Sequence, residues 1–200
     1  MKMFIRAGYT VLLGTVLLAC SNSGQNAGDA HFNKGEYSEA VEVYSQNLKF
    51  NPNDVTMLYN RGRAHEEQGS FDSAQVDFEK ALDLDPKNFQ VLLSLSNLHY
   101  SQKNFEKAFL YANRAEEIPG APALASFMKA RALHQLGNPE DALKAYENAI
   151  KLDKEFGQAY FNRGLLKIAL KRTRSACEDF QLASSLDYPG ASDALKKYCK

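Results

Sequence analysis

Residues 55–88 read VTMLYNRGRAHEEQGSFDSAQVDFEKALDLDPKN, and the fold turns on how this stretch divides and how it recurs. In its first half Leu58, Gly62 and His65 fall on one helical face, Gly69 supplies a left-handed stop, and Phe71 opens the second half. There Ala74, Phe78 and Ala81 recur at spacings of four and three, and Pro86 ends the pattern. The stretch reads as two helices joined by a tight turn. Gly62 and Ala74 are small enough to let the paired helices approach closely, with Phe78 filling the volume beside them. Working outward, Ala74 belongs to a ladder of alanines, Ala40, Ala74, Ala108, Ala142 and Ala176, at a constant step of 34 residues. The same step, or a multiple of it, relates Gly35, Gly69 and Gly137, and also Gly28, Gly62 and Gly164. A period of this length marks a stack of small units, each unable to bury its apolar stripe alone and burying it on its neighbours instead.

These residues resemble the tetratricopeptide repeat. The resemblance spans 21–190 and implies an all-α chain, a right-handed α-solenoid of about five helical hairpins, with units at about 21–54, 55–88, 89–122, 123–156 and 157–190. Individual units depart from the pattern. The third has Lys103 for the turn glycine and Ala112 for the aromatic; the fourth has Pro139 at the start of its second helix, which a first turn tolerates; the fifth has Lys171 at its turn. Ser23, Gly24 and Gly28 are poor helix formers, so the first helix of the first unit is predicted to be short or frayed. Ala194, Leu195 and Tyr198 predict a last helix over 191–200 that caps the array.

The first residues have a different character. Lys2 and Arg6 precede an apolar run from Ala7 to Ala19, the layout of a secretory signal. At about 1.5 Å per residue that run reaches about 20 Å, short of the roughly 30 Å of a bilayer core. Its end, Leu17-Leu18-Ala19-Cys20, resembles the lipobox of bacterial lipoproteins. The resemblance implies that 1–19 is a signal peptide, that Cys20 is acylated, that 20–25 is a short anchor linker and that 26–200 is the repeat domain. Ser21 does not resemble an inner-membrane retention signal. By the same resemblance the chain is expected in the cell envelope of a diderm bacterium, as an outer-membrane lipoprotein facing the periplasm.

Composition narrows the function classes. The chain carries 24 basic and 24 acidic residues, a formal charge of zero, which gives no general electrostatic reason to bind nucleic acid. His31, His65 and His99 keep the 34-residue step, but neighbouring first helices lie about 8–10 Å apart while zinc needs its ligands near 2 Å, so they read as packing residues. The string HEEQG at 65–69 begins like a zincin helix but has Gly69 where the second histidine belongs. There is no phosphate-cradling glycine loop and no G-x-S-x-G. The expectation is a non-enzymatic protein with no catalytic residues, no metal, no cofactor and no small-molecule substrate. Cys177 and Cys199 would face each other if the last two helices form a hairpin turning at Tyr188-Pro189-Gly190, and in an exported chain such a pair can close a disulfide; the alternative is that Cys177 is a small buried apolar residue.

Leu58, Gly62 and His65 point inward, so Asn60, Arg63 and Glu67, flanked by Tyr59 and Glu66, point the opposite way. The resemblance makes that opposite face the concave surface that holds partner peptides. Stepping by 34 adds Asn97, Phe127, Arg131, Phe161 and Asn162, so the floor runs from polar to aromatic and aliphatic along the chain; the alternative for Phe161 is that neighbouring helices cover it. An asparagine amide both donates to and accepts from an extended backbone, apolar neighbours receive side chains, and arginine supplies an anchor. Leu124 and Met128 occupy two slots that would be basic in a carboxylate clamp, so chaperone C-termini are not expected ligands. The implied function is a lipid-anchored adaptor that holds a protein or peptide partner in this groove. Alternatives are an assembly factor for an outer-membrane, pilus or secretin complex, or an accessory subunit of a cell-wall hydrolase.

Overall fold

The structure, a computed structural model, describes residues 20–199. The expected signal peptide over 1–19 lies outside the described residues. Eleven helices and no strand occur among the described residues. They are α1 (Cys20–Asn33), α2 (Tyr37–Phe50), α3 (Val55–Glu67), α4 (Phe71–Leu84), α5 (Phe89–Ser101), α6 (Phe105–Glu116), α7 (Ala123–Gln135), α8 (Pro139–Leu152), α9 (Gly157–Ala169), α10 (Thr173–Ser185) and α11 (Ala191–Tyr198). Successive helices pair as α1–α2, α3–α4, α5–α6, α7–α8 and α9–α10, each hairpin packs on the next through its second helix, and α11 closes on α10. The fold is all-α, a stack of hairpins.

Local chemistry sets the boundaries. Asp54, Asn88 and Asn104 each accept a hydrogen bond from the backbone N–H three residues on, at 3.0, 3.2 and 3.2 Å, and so satisfy an orphan donor at the starts of α3, α5 and α6. The turn between α3 and α4 passes through Gly69 at φ +76°, a left-handed conformation a glycine adopts without steric cost. The third and fifth hairpins make the same turn with Lys103 at φ +61° and Lys171 at φ +59°. The departures seen in sequence therefore change the residue and leave the backbone path intact.

All five alanines of the ladder are fully buried. Opposite Ala74, the backbone of Gly62 lies so close to the Phe78 ring that a methyl built on it would stand 2.7 Å from Cε1. Gly164 faces Phe180 in the same way, also at 2.7 Å. The third hairpin has no aromatic at the equivalent position, and there Ser96 replaces the glycine and donates to the Ala108 carbonyl at 2.8 Å, while Ala112 is fully buried. Sequence reading did not reveal the charged ties inside two hairpins. Arg61 on α3 holds Asp77 on α4 through two bonds of 2.6 and 2.8 Å, and Arg163 on α9 holds Asp179 on α10 through bonds of 2.6 and 3.0 Å, with Lys167 adding an ion pair at 2.8 Å. Both aspartates are buried, so each depends on its arginine for compensation.

Two local expectations need correction. The first helix is not short: α1 runs 14 residues from Cys20. Gly28, whose helix propensity argued against it, is the point where α1 meets the Tyr44 ring, and packing overrides propensity. His31 is not a packing residue; it is half-exposed on α1 and pairs with Glu36 at 2.7 Å. His99 does pack inside, and His65 is half-buried with its Nδ1 out of water. His99 is 2% exposed, lies flat against Tyr111 with ring centroids 5.5 Å apart, and has no partner for either ring nitrogen. Burial holds the pKa of both His65 and His99 below the ordinary imidazole value.

At the end of the array Cys177 on α10 and Cys199, just past α11, stand with Cα atoms 5.7 Å apart and their sulfurs bonded. The bond sits against a small cluster of Phe180, Ala194, Ile168, Leu195 and Tyr198 that covers the last hairpin.

Candidate functional site: the groove along the first helices

The first helix of each hairpin lies beside the first helix of the next, α1 on α3, α3 on α5 and α5 on α7. Across α3, α5, α7 and α9 they enclose an open groove of roughly 450 Å³. Its floor is Phe127, Leu93 and Met128, all buried. Its accessible apolar walls are Phe89 and Leu124, at 36% and 42% exposure, and these are the side chains a ligand can cover. Around them stand Tyr59, Glu66, Gln90, Ser94, Asn97, Arg131 and Gln158.

The residues singled out from sequence divide into three sets. Tyr59, Asn97, Phe127 and Arg131 meet in this groove. Phe127 is 1% exposed, wedged between Phe156 and Tyr146 with ring centroids 4.9 and 5.9 Å away, so it shapes the floor from below. Asn60 and Arg63 line a separate, smaller hollow with Asp29, Phe32, Asn33 and Tyr44. There Asp29 accepts from the Tyr44 hydroxyl at 2.5 Å and from Asn60 at 3.0 Å, and burial together with Asp29 pushes the Tyr44 hydroxyl above the usual phenol range. The third set lies apart: Glu67 is exposed and lines neither hollow, and Asn162 likewise borders neither. Phe161 is half-buried between Tyr188 and Phe180, with centroids 5.1 and 5.8 Å away, so the turn before α11 covers it and the groove stops short of it.

The arginines expected as anchors are already engaged. Arg131 lays its guanidinium 4.0 Å from the Tyr100 ring centroid, and Arg63 sits 4.6 Å from that of Phe32. Asn97 donates to Glu66 at 3.1 Å, tying α5 to α3 across the groove. Sequence reading passed over Gln90 and Gln158, although a signal was present: with Leu124 they form a row on the same 34-residue step, three residues before Leu93, Phe127 and Phe161 and so on the same helical face. Phe89 falls outside that row, and only the packing of neighbouring helices brings it in.

Among the described residues no group of three or more His, Cys, Asp or Glu is placed to hold a metal ion, and no helix is long and apolar enough to cross a membrane. What the groove offers is apolar area flanked by neutral amides, one carboxylate, Glu66, and one guanidinium, Arg131. That arrangement receives side chains and backbone, and it brings no nucleophile beside a base.

Comparison with known proteins gives the scaffold its family. A TPR repeat model matches residues 28–69 and 130–170, a tetratricopeptide repeat model matches 59–122, and a second one matches 157–188. No curated protein sequence matches the chain. Among solved structures, MamA from Desulfovibrio magneticus RS-1 superposes with a TM-score of 0.75 at 21% identity, covering 83% of this chain and 94% of that one. PilF of Pseudomonas aeruginosa gives 0.77 at 17% identity over 82% and 75% of the two chains. YrrB, described as a TPR protein with an unusual peptide-binding site, gives 0.70 at 22% identity over 86% and 90%. At these identities the likenesses speak for the fold. With repeat models matching 28–122 and 130–188 and eleven helices stacked as hairpins, the chain is a tetratricopeptide repeat protein.

Proposed function

We propose that the chain is a non-enzymatic adaptor of the cell envelope, anchored by lipid on Cys20, that holds a partner peptide or helix in the groove between α3, α5, α7 and α9. The observation that carries the binding part is the pair Phe89 and Leu124: two large apolar side chains left accessible over a buried apolar floor, ringed by side chains that hydrogen-bond a backbone. YrrB, of the same fold, is described by a peptide-binding site, which supports the reading. The anchor rests on the lipobox resemblance. The helix order is compatible with it, since α1 starts at Cys20 and its antiparallel partner α2 ends at Phe50, 91% exposed, so both fall at one edge of the stack.

The test is site-specific photocrosslinking in intact cells of the source bacterium. A photoreactive residue at Leu124 or Gln90 should trap a discrete protein, and one at Val76, exposed on α4, should not. Equal trapping at all three positions, or none at the groove positions, overturns the groove. The trapped protein also separates a general adaptor from the alternatives: an outer-membrane barrel, pilus or secretin component indicates an assembly factor, and a cell-wall hydrolase indicates an accessory subunit. For the anchor, Cys20→Ala should abolish fatty-acid labelling and release the protein from membranes, and persistence of both refutes it.

A further inference from the structure

We infer that the groove selects partners that combine a large apolar side chain with a lysine or arginine, the cation being received by Glu66. The inference rests on the groove reading and adds the chemistry of the occupant.

Glu66 stands near the end of α3, half-buried on the groove wall, with Oε1 accepting from Asn97 at 3.1 Å. Among the described residues no lysine, arginine or histidine forms an ion pair with it. Arg63, one turn earlier on the same helix, is the cation nearest in sequence, but it is turned onto Phe32. Arg131, across the groove on α7, is turned onto Tyr100. From its own helix Glu66 also faces Glu67, a like charge, and from α5 only the neutral amide of Asn97. Burial, the largest influence on this carboxyl, pushes its pKa up, and the Asn97 bond and Arg63 only partly offset that.

A carboxylate partly withdrawn from water without a paired cation is disfavoured, and an arriving ammonium or guanidinium offsets part of that cost as it binds. Of the other polar groups around the apolar walls, Gln90, Ser94 and Gln158 are neutral and suit a backbone, and Arg131 is stacked on Tyr100. A cation paired with Glu66 is therefore what the groove lacks. Glu66 on α3 and the apolar walls on α5 and α7 are one to two helix spacings apart, each about 10 Å. At about 3.3 Å per residue, an extended peptide would place its cation roughly three to six residues from its apolar anchor.

The experiment uses the full-length protein purified from cell envelopes and an array of synthetic peptides in a Ser-Gly host. Each peptide carries one Leu, Met or Phe and one Lys, Arg, Gln or Glu at every separation. Lysine and arginine peptides should bind about tenfold more tightly than their glutamine counterparts. Glu66→Gln, which keeps an acceptor for Asn97, should abolish that preference. Glu67→Gln, which removes a neighbouring charge outside the groove, should keep the preference. Equal binding of lysine and glutamine peptides to the unaltered protein, a preference for glutamate peptides through Arg131, or a preference that survives Glu66→Gln overturns the inference and leaves the groove standing. Failure of every apolar-anchored peptide to bind overturns both.

Discussion

Replacing Lys103 and Lys171 by glycine should stabilise this protein. Both residues hold left-handed backbone, at φ +61° and +59°, at the turn where the neighbouring hairpins have Gly35, Gly69 and Gly137. Their side chains are exposed and make no hydrogen bond or ion pair among the described residues, so their removal forfeits no contact. For an L-residue this conformation costs roughly 1–2 kcal/mol. Glycine escapes that cost but brings back about 0.5–1 kcal/mol through the greater freedom of its unfolded chain. The net gain is about 0.5–1 kcal/mol at each site. A whole hairpin lies between the two turns, so the gains should add, to about 1–2 kcal/mol in the double variant. For a chain of this size each kcal/mol raises the melting midpoint by about 2–4 °C. Thermal and urea unfolding followed by circular dichroism reads the effect. Lys103→Ala is the control, since alanine also pays for positive φ and should gain nothing, and Gly69→Lys should lose what Lys103→Gly gains. The reasoning is refuted if Lys103→Ala stabilises as much as Lys103→Gly, or if Gly69→Lys is neutral.

Other substitutions test the packing just described. Gly62→Ala puts a methyl 2.7 Å from the Phe78 ring, and overpacking of about 1–3 kcal/mol should outweigh the roughly 1 kcal/mol of helix propensity gained, so denaturant unfolding should show a net loss. A more stable Gly62→Ala would show that the ring moves aside at little cost. Because burial lowers the pKa of His65 and His99, the unfolded chain takes up their protons first as pH falls below about 6.5, and stability should decline between about pH 7 and 5; His99→Phe should flatten that decline. Breaking the Cys177–Cys199 bond, by reductant or by Cys199→Ser, should cost about 3 kcal/mol for a crosslink spanning 22 residues, read as a lower unfolding midpoint than that of the oxidised protein.

Much of the scaffold was legible because it repeats. One stretch, 55–88, shows a turn glycine, a buried alanine and an aromatic facing a glycine, and the 34-residue step carries that pattern along the chain. Those features are local: a turn needs positive φ, a close crossing needs small residues, and both leave a mark in the residues themselves. The opposing placement of Cys177 and Cys199 was legible for the same reason, since a hairpin fixes which positions face each other. The groove was legible only in outline. Tyr59, Asn97, Phe127 and Arg131 meet in it, and stepping along the repeat also pointed to Phe161 and Asn162, which border neither it nor the smaller hollow.

The sequence by itself determined the unit, its length and the side of each first helix that is free of its own hairpin. The tertiary structure decided which free residues remain available. Arg63 and Arg131 looked like anchors but are spent on Phe32 and Tyr100, which come from the preceding hairpin. Phe127 sank to the floor under Phe156, and the turn before α11 covered Phe161. Glu66, a flanking residue in the periodic pattern, became the groove's carboxylate without an ion-pair partner because Arg63 and Arg131 are turned onto aromatic rings. The physical reason is that the period fixes backbone geometry within a unit, whereas the surface of a solenoid is made between units, where side chains that do not repeat settle against one another.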